Sequence, residues 1–202
     1  IQQGHERALS NKISLKDTLN LVSSFREKDN KTPVGLMGYM NTFEALGSES
    51  FFSAAKDNGV DGILIVDMPV EESDEFTEQA KKHGVDVIRL VAPTTSESRV
   101  KKICKNASGY VYYISLKGIT GANSINPEEV ERKVKKLKDL TELPVVIGFG
   151  IKDGKSVSTV KNLADGVVVG SSLVDIMGGN KEEIEEHLSI KIKDLSQAIA
   201  GD

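Results

Sequence analysis

Six short apolar segments alternate with amphipathic patterns of helical period, and this alternation limits the possible folds more than any other feature. The segments are rich in β-branched residues and lie at 33–37, 62–66, 85–91, 109–114, 144–148 and 166–170. Their continuous apolar character predicts parallel strands that are buried on both faces. Strands that alternate with helices, with no linker between them, predict a single α/β domain over residues 1–202, built on a parallel sheet.

Three stretches show the clearest helical spacing of apolar residues. They are Leu15, Leu19 and Val22; Val130, Val134 and Leu137; and Ile184, Leu188, Ile192, Leu195 and Ile199. Ser14 with Asp17 resembles a capping box, and so does Asn126 before Pro127 with Glu129. The opening "IQQGHERAL" has helical spacing but neither a cap nor a strand before it. We therefore expect residue 1 to lie inside a domain.

Two architectures fit this order: an open, doubly wound sheet and a closed (β/α)8 barrel. Five strand–helix units occupy the 133 residues from Pro33 to Gly166, about 27 residues each. Two further units would bring the chain to about 255 residues, close to the size typical of the barrel. The spacing therefore favours a (β/α)8 TIM barrel represented by about six of its eight units, strands 3 to 8, so that the domain is incomplete at its N-terminal end.

Composition excludes several classes of function. The formal net charge is -4, and acidic and basic residues are interleaved, so there is no basic stripe for nucleic acid or anionic lipid. No apolar run approaches the roughly 20 residues of a membrane span. We predict a cytoplasmic protein that binds neither nucleic acid nor membrane. Cys104 is the only cysteine, so we interpret it as a small buried thiol and predict no metal site.

Glycines gather where the last two predicted strands end. In "PVVIGFGIKDGKSVSTVKNLADGVVVGSS", residues 144–172, the strands stop at Gly148 and Gly170, with Gly150 and Ser171 close behind. In (β/α)8 barrels, phosphate commonly lies between the loops after strands seven and eight, at the start of a short helix. Glycine lets the backbone approach an anion, and the first amides of a helix carry partial positive charge. Gly150, Gly170 and Ser171 are therefore candidate phosphate ligands, although tight turns would also explain the glycines.

A second glycine-bearing loop follows the fourth predicted strand. The stretch "SLKGITGANS", residues 115–124, is longer than a minimal turn, and long loops at this end of a barrel are often lids. Gly118 and Gly121 could act as hinges, and Thr120 could contact a ligand. A solvated flexible loop is an equally good interpretation.

The chain resembles a known family over its whole length. The resemblance is carried by "VGLMGYMN" (34–41), "ILIVDMPVEES" (63–73), "GYVYYISLKGITGA" (109–122), "IGFGI" (147–151) and "GVVVGSSLV" (166–174). These motifs are similar to those of the α subunit of tryptophan synthase. The resemblance implies a (β/α)8 lyase that cleaves indole-3-glycerol phosphate to indole and glyceraldehyde 3-phosphate by a retro-aldol reaction. It implies no cofactor in this chain, and as partner a pyridoxal-phosphate-dependent β subunit that receives the indole.

The site residues implied by the resemblance fall into three groups. Those of the phosphate site are Gly121, Gly150, Gly170 and Ser171. Those that line the indole pocket are Met37, Tyr39 and Phe149. Supporting residues near the reacting end of the substrate are Tyr112, Thr120 on the lid, and Asp67. From the residues alone, packing explains the pocket residues better, and Asp67 would be a strand-end cap or loop anchor.

One departure from the family pattern affects catalysis. The family moves protons with a glutamate on barrel strand two and an aspartate in the following loop. Neither has a counterpart here, because the match begins at Ile1 and Gln2, just after that loop. Glu71 and Glu72 do not replace them, since they open a predicted helix. We expect the chain on its own to be inactive. A second departure from the family pattern is Leu116, which stands where some members have arginine.

Two alternatives stay open at this point. Another phosphate-binding barrel, such as a sugar-phosphate isomerase or epimerase, would share the glycine loops. A noncatalytic module that binds a β subunit would explain the missing carboxylates, although an incomplete barrel exposes unpaired strand edges.

Overall fold

The computed structural model describes residues 1–115, 127–148 and 150–201, and all six predicted strands are present within them. They are β1 (Gly35–Gly38), β2 (Gly62–Ile65), β3 (Asp86–Val91), β4 (Val111–Ile114), β5 (Val145–Gly148) and β6 (Gly166–Val168). Each strand is one or two residues shorter than the apolar segment that predicted it.

Helices lie before, between and after these strands. They are α1 (Gln2–Ser10), α2 (Leu15–Arg26), α3 (Met40–Glu44), α4 (Ser48–Asp57), α5 (Asp74–His83), α6 (Glu97–Lys105), α7 (Pro127–Lys138), α8 (Gly154–Val160), α9 (Ser171–Ile176) and α10 (Ile184–Ala200). The predicted helices at the start, before β1, before β5 and at the end of the sequence are thus confirmed. Among the described residues, no helix combines the length and apolar character needed to cross a membrane.

Where the capping residues are described, the helices begin at the positions that the capping signals predicted. Ser14 and Asp17 form the predicted capping box, in which each side chain accepts the other residue's backbone N–H. Pro127 is the first residue of α7, as predicted, whereas Asn126 lies outside the described residues. Helix α1 begins without a side-chain cap. Cys104 is half-buried on α6, so the prediction of a small buried thiol is wrong, because this part of α6 faces the surface on one side.

The described residues form two compact units. The first unit comprises residues 12–90 and 96–111, with helices α2 to α6, strands β1 and β2, and nearly all of β3. The second unit comprises residues 1–11, 91–95 and 112–202, with α1, most of β4, and everything from α7 to α10. The single domain over residues 1–202 stays a prediction.

In the first unit, β1, β2 and β3 run parallel in that order. Gly35 pairs with Gly62, and Gly62 in turn pairs with Asp86. Apolar side chains of β2 join a buried cluster with four aromatic rings from α3, α4 and α5. The rings, whose adjacent centroids lie 4.5 to 5.1 Å apart, are those of Phe43, Phe51, Phe52 and Phe76. Aromatic side chains bury the largest apolar areas, so this cluster is the main source of hydrophobic stabilisation in the unit.

The strands differ in burial, which corrects one expectation. Every residue of β2 is buried, as predicted. In β1 the residues alternate between exposed and half-buried, and those of β6 are all half-buried. The prediction that all strands are buried on both faces is therefore wrong for these two, and it is wrong for one face of β4, where Tyr112 and Ile114 are half-buried. Within its own unit each has one hydrogen-bonded neighbour, β2 for β1 and β5 for β6, so fewer side chains cover it.

In the second unit, β5 and β6 are parallel, with Val146 opposite Gly166. Helices α8 and α10 are held together by polar contacts at both ends of α8. The N–H of Gly154 donates to Asp194 Oδ2 at 2.9 Å, and Lys161 Nζ donates to the carbonyl of Ala198 at 2.8 Å. Leu195 is the buried member of the predicted apolar stripe on α10.

Candidate active site

Tyr112, predicted to lie near the reacting end of a substrate, packs over the last residue of β5. It is half-buried on β4, next to the buried Tyr113 on the opposite face. A Cβ atom added to Gly148 would lie 1.9 Å from Tyr112 Oη and 2.2 Å from its Cζ. Because atoms cannot approach so closely, the phenol occupies the space of a side chain at position 148. Gly148 is therefore required by the tyrosine ring, not by a turn.

Ser115 fixes the ends of β4 and β5 to each other. The carbonyl of Gly148 accepts the backbone N–H of Ser115 at 3.0 Å and its hydroxyl at 3.1 Å. Ser115 is 5% exposed, so both bonds are shielded from water. Ser115 was not predicted as a site residue; its position directly after an apolar strand is the signal that could have indicated it.

Tyr113 occupies the other face of β4 and is 4% exposed. Burial, together with the nearby carboxylate of Glu129, raises its pKa to about 12. The phenol therefore stays protonated at neutral pH, which makes Tyr113 a packing residue instead of a general base.

Gly150 has a backbone conformation that residues other than glycine rarely adopt. Its φ of +81° lies in the left-handed region that favours glycine. It is exposed, and a Cβ at this position would have no heavy atom within 4 Å outside its chain neighbours. The space beside its backbone is therefore open to a ligand.

Gly170 and Ser171 form the start of α9, directly after β6. Gly170 is the N-cap, and its carbonyl accepts the N–H groups of Leu173 at 3.0 Å and Val174 at 3.1 Å. Ser171 is the first helical residue and is exposed. The strand–glycine–helix order predicted from the sequence is thus present, with the positive end of the helix dipole at the strand end.

Asp67 lies after β2 in the first unit and acts as a strand-end anchor. Its Oδ1 accepts the backbone N–H of Met40, the first residue of α3, at 2.8 Å. This contact agrees with the interpretation drawn from the residue alone, a strand-end cap or loop anchor. Tyr39 is the N-cap residue of the same helix and is 47% exposed, and Met37 on β1 is 64% exposed. The structure therefore brings Asp67 to the helix that follows these two pocket candidates.

Some predicted residues lie outside the described part of the chain. They are Thr120, Gly121 and Phe149, together with Leu116 and Gly118. Glu71, by contrast, is described: it lies in a 3₁₀ turn (Val70–Glu72), and its carboxylate pairs with both terminal nitrogens of Arg99 at 3.0 and 3.1 Å. Across residues 1–115, 127–148 and 150–201, no three His, Cys, Asp or Glu side chains are arranged to hold a metal ion.

These features define the class of protein: an α/β protein of the (β/α)8 TIM-barrel fold, represented by six strands, with candidate ligand residues at the strand ends. The family model for the tryptophan synthase alpha chain matches residues 1–200, so both compact units lie within one matched region. The chain belongs to this family.

Individual relatives agree with the family match. The tryptophan synthase alpha chain of Thioalkalivibrio sulfidiphilus is 48% identical over 185 residues, which cover 92% of this chain and 70% of the relative. That of Paraburkholderia phymatum is 46% identical over 200 residues, covering 98% and 74%.

Solved structures agree as well. Subunit alpha from Legionella pneumophila str. Paris has a TM-score of 0.90 at 36% identity, covering all of this chain and 75% of that one. A chain of the tryptophan synthase a2b2 complex from Pyrococcus furiosus has a TM-score of 0.87 at 40% identity, covering 96% and 78%. The predicted TIM-barrel fold class is confirmed, and neither the isomerase nor the noncatalytic alternative is favoured.

Proposed function

We propose that this chain binds indole-3-glycerol phosphate and contributes to the lyase reaction of tryptophan synthase in the cytoplasm. The observation that carries the proposal is the match of residues 1–200 to a single family model. It is supported by the strand ends, where Tyr112 packs against Gly148, Gly150 has open space beside its backbone, and Gly170 precedes α9.

The phosphate group would be held by backbone amides at the ends of β5 and β6. Gly150 offers open backbone with φ of +81°, and Gly170 with Ser171 opens α9. Unpaired amides at the start of a helix favour a dianion through hydrogen bonding and through the helix dipole. Gly121 would complete this set, as the family resemblance implies.

The reacting end of the substrate would lie near Tyr112. In the retro-aldol step the glycerol hydroxyl loses a proton and becomes the aldehyde carbonyl. The bond to the indole ring breaks, and C3 of the ring gains a proton. Tyr112 would position the substrate beside β5. The other roles follow the family resemblance alone, which implies Met37, Tyr39 and Phe149 for the indole pocket, Thr120 for a lid, and Asp67 as a supporting residue.

Neither of the two proton-moving carboxylates of the family has a counterpart by motif in residues 1–202. Asp67 is already committed to the N–H of Met40, and Glu71 to Arg99. We therefore propose that the 202-residue chain by itself binds substrate but does not turn it over.

The partner would be a tryptophan synthase β subunit. The Pyrococcus furiosus neighbour was solved in an a2b2 complex, which supports such an assembly for the family. This chain would hold no cofactor, and pyridoxal phosphate would belong to the β subunit. No nucleic-acid or membrane partner is proposed.

Ligand-induced stabilisation tests the binding site directly. Indolepropanol phosphate, which carries both the ring and the phosphate but cannot be cleaved, should raise the melting temperature of the 202-residue chain, whereas a pentose phosphate should raise it far less. A ligand present at about 100 times its Kd stabilises by about 2.7 kcal/mol. Equal stabilisation by both compounds would count against an indole-specific site.

Two glycine variants separate the phosphate contact from general stability. Gly150→Ala places a side chain on a residue with positive φ and should weaken the binding of indolepropanol phosphate. Gly166→Ala is the matched control, because its Cβ would lie at an ordinary 3.5 Å from Val146 Cγ2. Indole release should be undetectable with the wild-type chain alone and measurable with the intact relative from Paraburkholderia phymatum. Turnover by the chain at a comparable rate would contradict the assignment of the carboxylates.

A further inference from the structure

Residues of helix α1 approach α9, the short helix that begins at Ser171. Both helices belong to the second unit. Three contacts pair Ile1 with Gly170, Gly4 with Val174, and Arg7 with Gly178. Residues three apart on α1 and four apart around α9 lie on one face of each segment. These residues therefore lie on the sides of the two segments that face each other.

The first two contacts are apolar and close. Ile1 Cδ1 lies 3.8 Å from the position that a Cβ of Gly170 would take. A Cβ on Gly4 would lie 2.7 Å from Val174 Cγ1, so a side chain at position 4 would require Val174 to shift. Gly4 is half-buried, which agrees with a helix-to-helix contact at this point.

Arg7 contacts the C-terminal end of α9. Its Nη2 donates to the carbonyl of Val174 at 3.0 Å, one of the last-turn carbonyls that lack a partner within the helix. The guanidinium also fills the space of a side chain at Gly178, whose Cβ would lie 2.8 Å from Arg7 Nη1. A cation at this end of a helix is favoured by the helix dipole as well as by the hydrogen bond.

We propose that Arg7 is a positioning residue for α9. By holding the C-terminal end of this helix, it keeps the opposite end, with Gly170 and Ser171, in place after β6. The inference rests on the proposed function for the role of those two residues as phosphate ligands. Phosphate affinity would then depend on Arg7 as well, although this residue lies outside the strand-end motifs.

Amide hydrogen exchange tests the positioning role without any ligand. Arg7→Met keeps an unbranched apolar stem but removes the charge and the donors. Exchange at Val174 and Met177, whose N–H groups bond within α9, should become about fivefold faster. Arg132→Met, at an exposed arginine on α7 in the same unit, is the matched control for net charge and should leave these amides unchanged. Equal exchange in the two variants would overturn the proposal.

Gly178→Ala provides an independent route to the same effect. Its new Cβ would displace the guanidinium while Arg7 is retained, and Gly178 has no positive φ to make alanine strained. The single variant should reproduce the faster exchange, and the double variant with Arg7→Met should add nothing further. If the effects of the two changes on exchange were additive, Arg7 would not act through its contact beside Gly178. Arg7→Lys, which keeps the charge, should restore part of the protection.

Phosphate affinity gives the functional readout. With inorganic phosphate as the probe, Arg7→Met should weaken binding about threefold, while the urea midpoint of unfolding stays that of the Arg132→Met control. If the wild-type chain binds no phosphate, the proposed phosphate site fails, while the exchange experiment still decides the role of Arg7. If phosphate binds equally well to both variants although α9 exchanges faster in Arg7→Met, positioning by Arg7 is refuted.

Discussion

The carboxylate of Asp165 accepts the backbone N–H of Val145 at 2.8 Å, and so ties the start of β6 to the start of β5. Asp61 makes the same contact with Val34 at 2.7 Å, just before β2 and β1. Each aspartate also pairs with a cation from the end of a helix, Lys138 in the first case and Arg26 in the second. The two units thus use the same Asp-Gly arrangement where their strands begin.

Replacement of either aspartate by asparagine should destabilise its unit. Asp165→Asn and Asp61→Asn each lose a charge-assisted hydrogen bond and an ion pair. Both side chains are partly exposed, so we expect a loss of about 1 kcal/mol in the free energy of unfolding. Urea denaturation measures this. Glu49→Gln, which breaks only an exposed pair with Lys82, is the control and should change stability less.

Asp165 should also contribute to acid sensitivity. The hydrogen bond from Lys138, followed by that from Val145, lowers the pKa of Asp165 below its ordinary value of 3.8. A carboxyl group with a lowered pKa in the folded state stabilises the protein above the unfolded pKa, and this contribution is lost as the pH falls through the folded pKa. Stability should therefore decline below about pH 4. Urea midpoints across this range should fall less steeply in Asp165→Asn, and parallel curves would contradict the prediction.

Gly148→Ala should disrupt the packing of Tyr112. The added methyl group would overlap the phenol, and overpacking of this kind costs about 1–3 kcal/mol. The free energy of unfolding should recover in Gly148→Ala with Tyr112→Ala, because the second change removes the obstructing ring. A double variant no more stable than Gly148→Ala would show that the ring is not the cause.

Tyr113 should make stability fall at alkaline pH. Its pKa of about 12 in the folded state lies above the ordinary value of 10, so the unfolded chain loses this proton first. The free energy of unfolding should decrease as the pH rises from about 10 towards 12. In Tyr113→Phe this part of the decrease should be absent when chemical denaturation is repeated across the same range.

Two variants of Asp67 distinguish its anchoring contact from a role of its charge. Asp67→Ala removes the acceptor for the N–H of Met40 and should cost about 1 kcal/mol, as loss of a helix cap does. Asp67→Asn keeps an oxygen acceptor and should preserve most of the stability measured by thermal unfolding. If Asp67→Asn nevertheless weakens the binding of indolepropanol phosphate, the charge itself acts in the site.

The strand order could be read from the sequence because apolar runs and capping residues are local signals. Leu19, Val22, Val134 and Leu137 are buried where helical spacing placed them. The exposure of β1 could not be predicted in this way, because Met37 lies in an apolar run that resembles those of the buried strands. Its exposure depends on which elements cover the strand.

Contacts between distant residues account for most of what the sequence did not predict. Gly148 was noticeable as a strand-ending glycine, but the ring that fills its side-chain space comes from Tyr112 on another strand. Likewise, the helical spacing of α1 predicts a helix without indicating that Arg7 meets the carbonyl of Val174. The role of Asp67 was easier to predict, because a polar residue directly after an apolar strand has few structural roles besides anchoring.

Three of the chain's four tyrosines stand at positions 110, 112 and 113, at or within β4, and the chain has no tryptophan. Three of the four tyrosine emitters therefore lie at or within one strand, and Tyr39 is the fourth. Tyrosine emission can therefore report on the strand that carries Tyr112 without an engineered fluorophore.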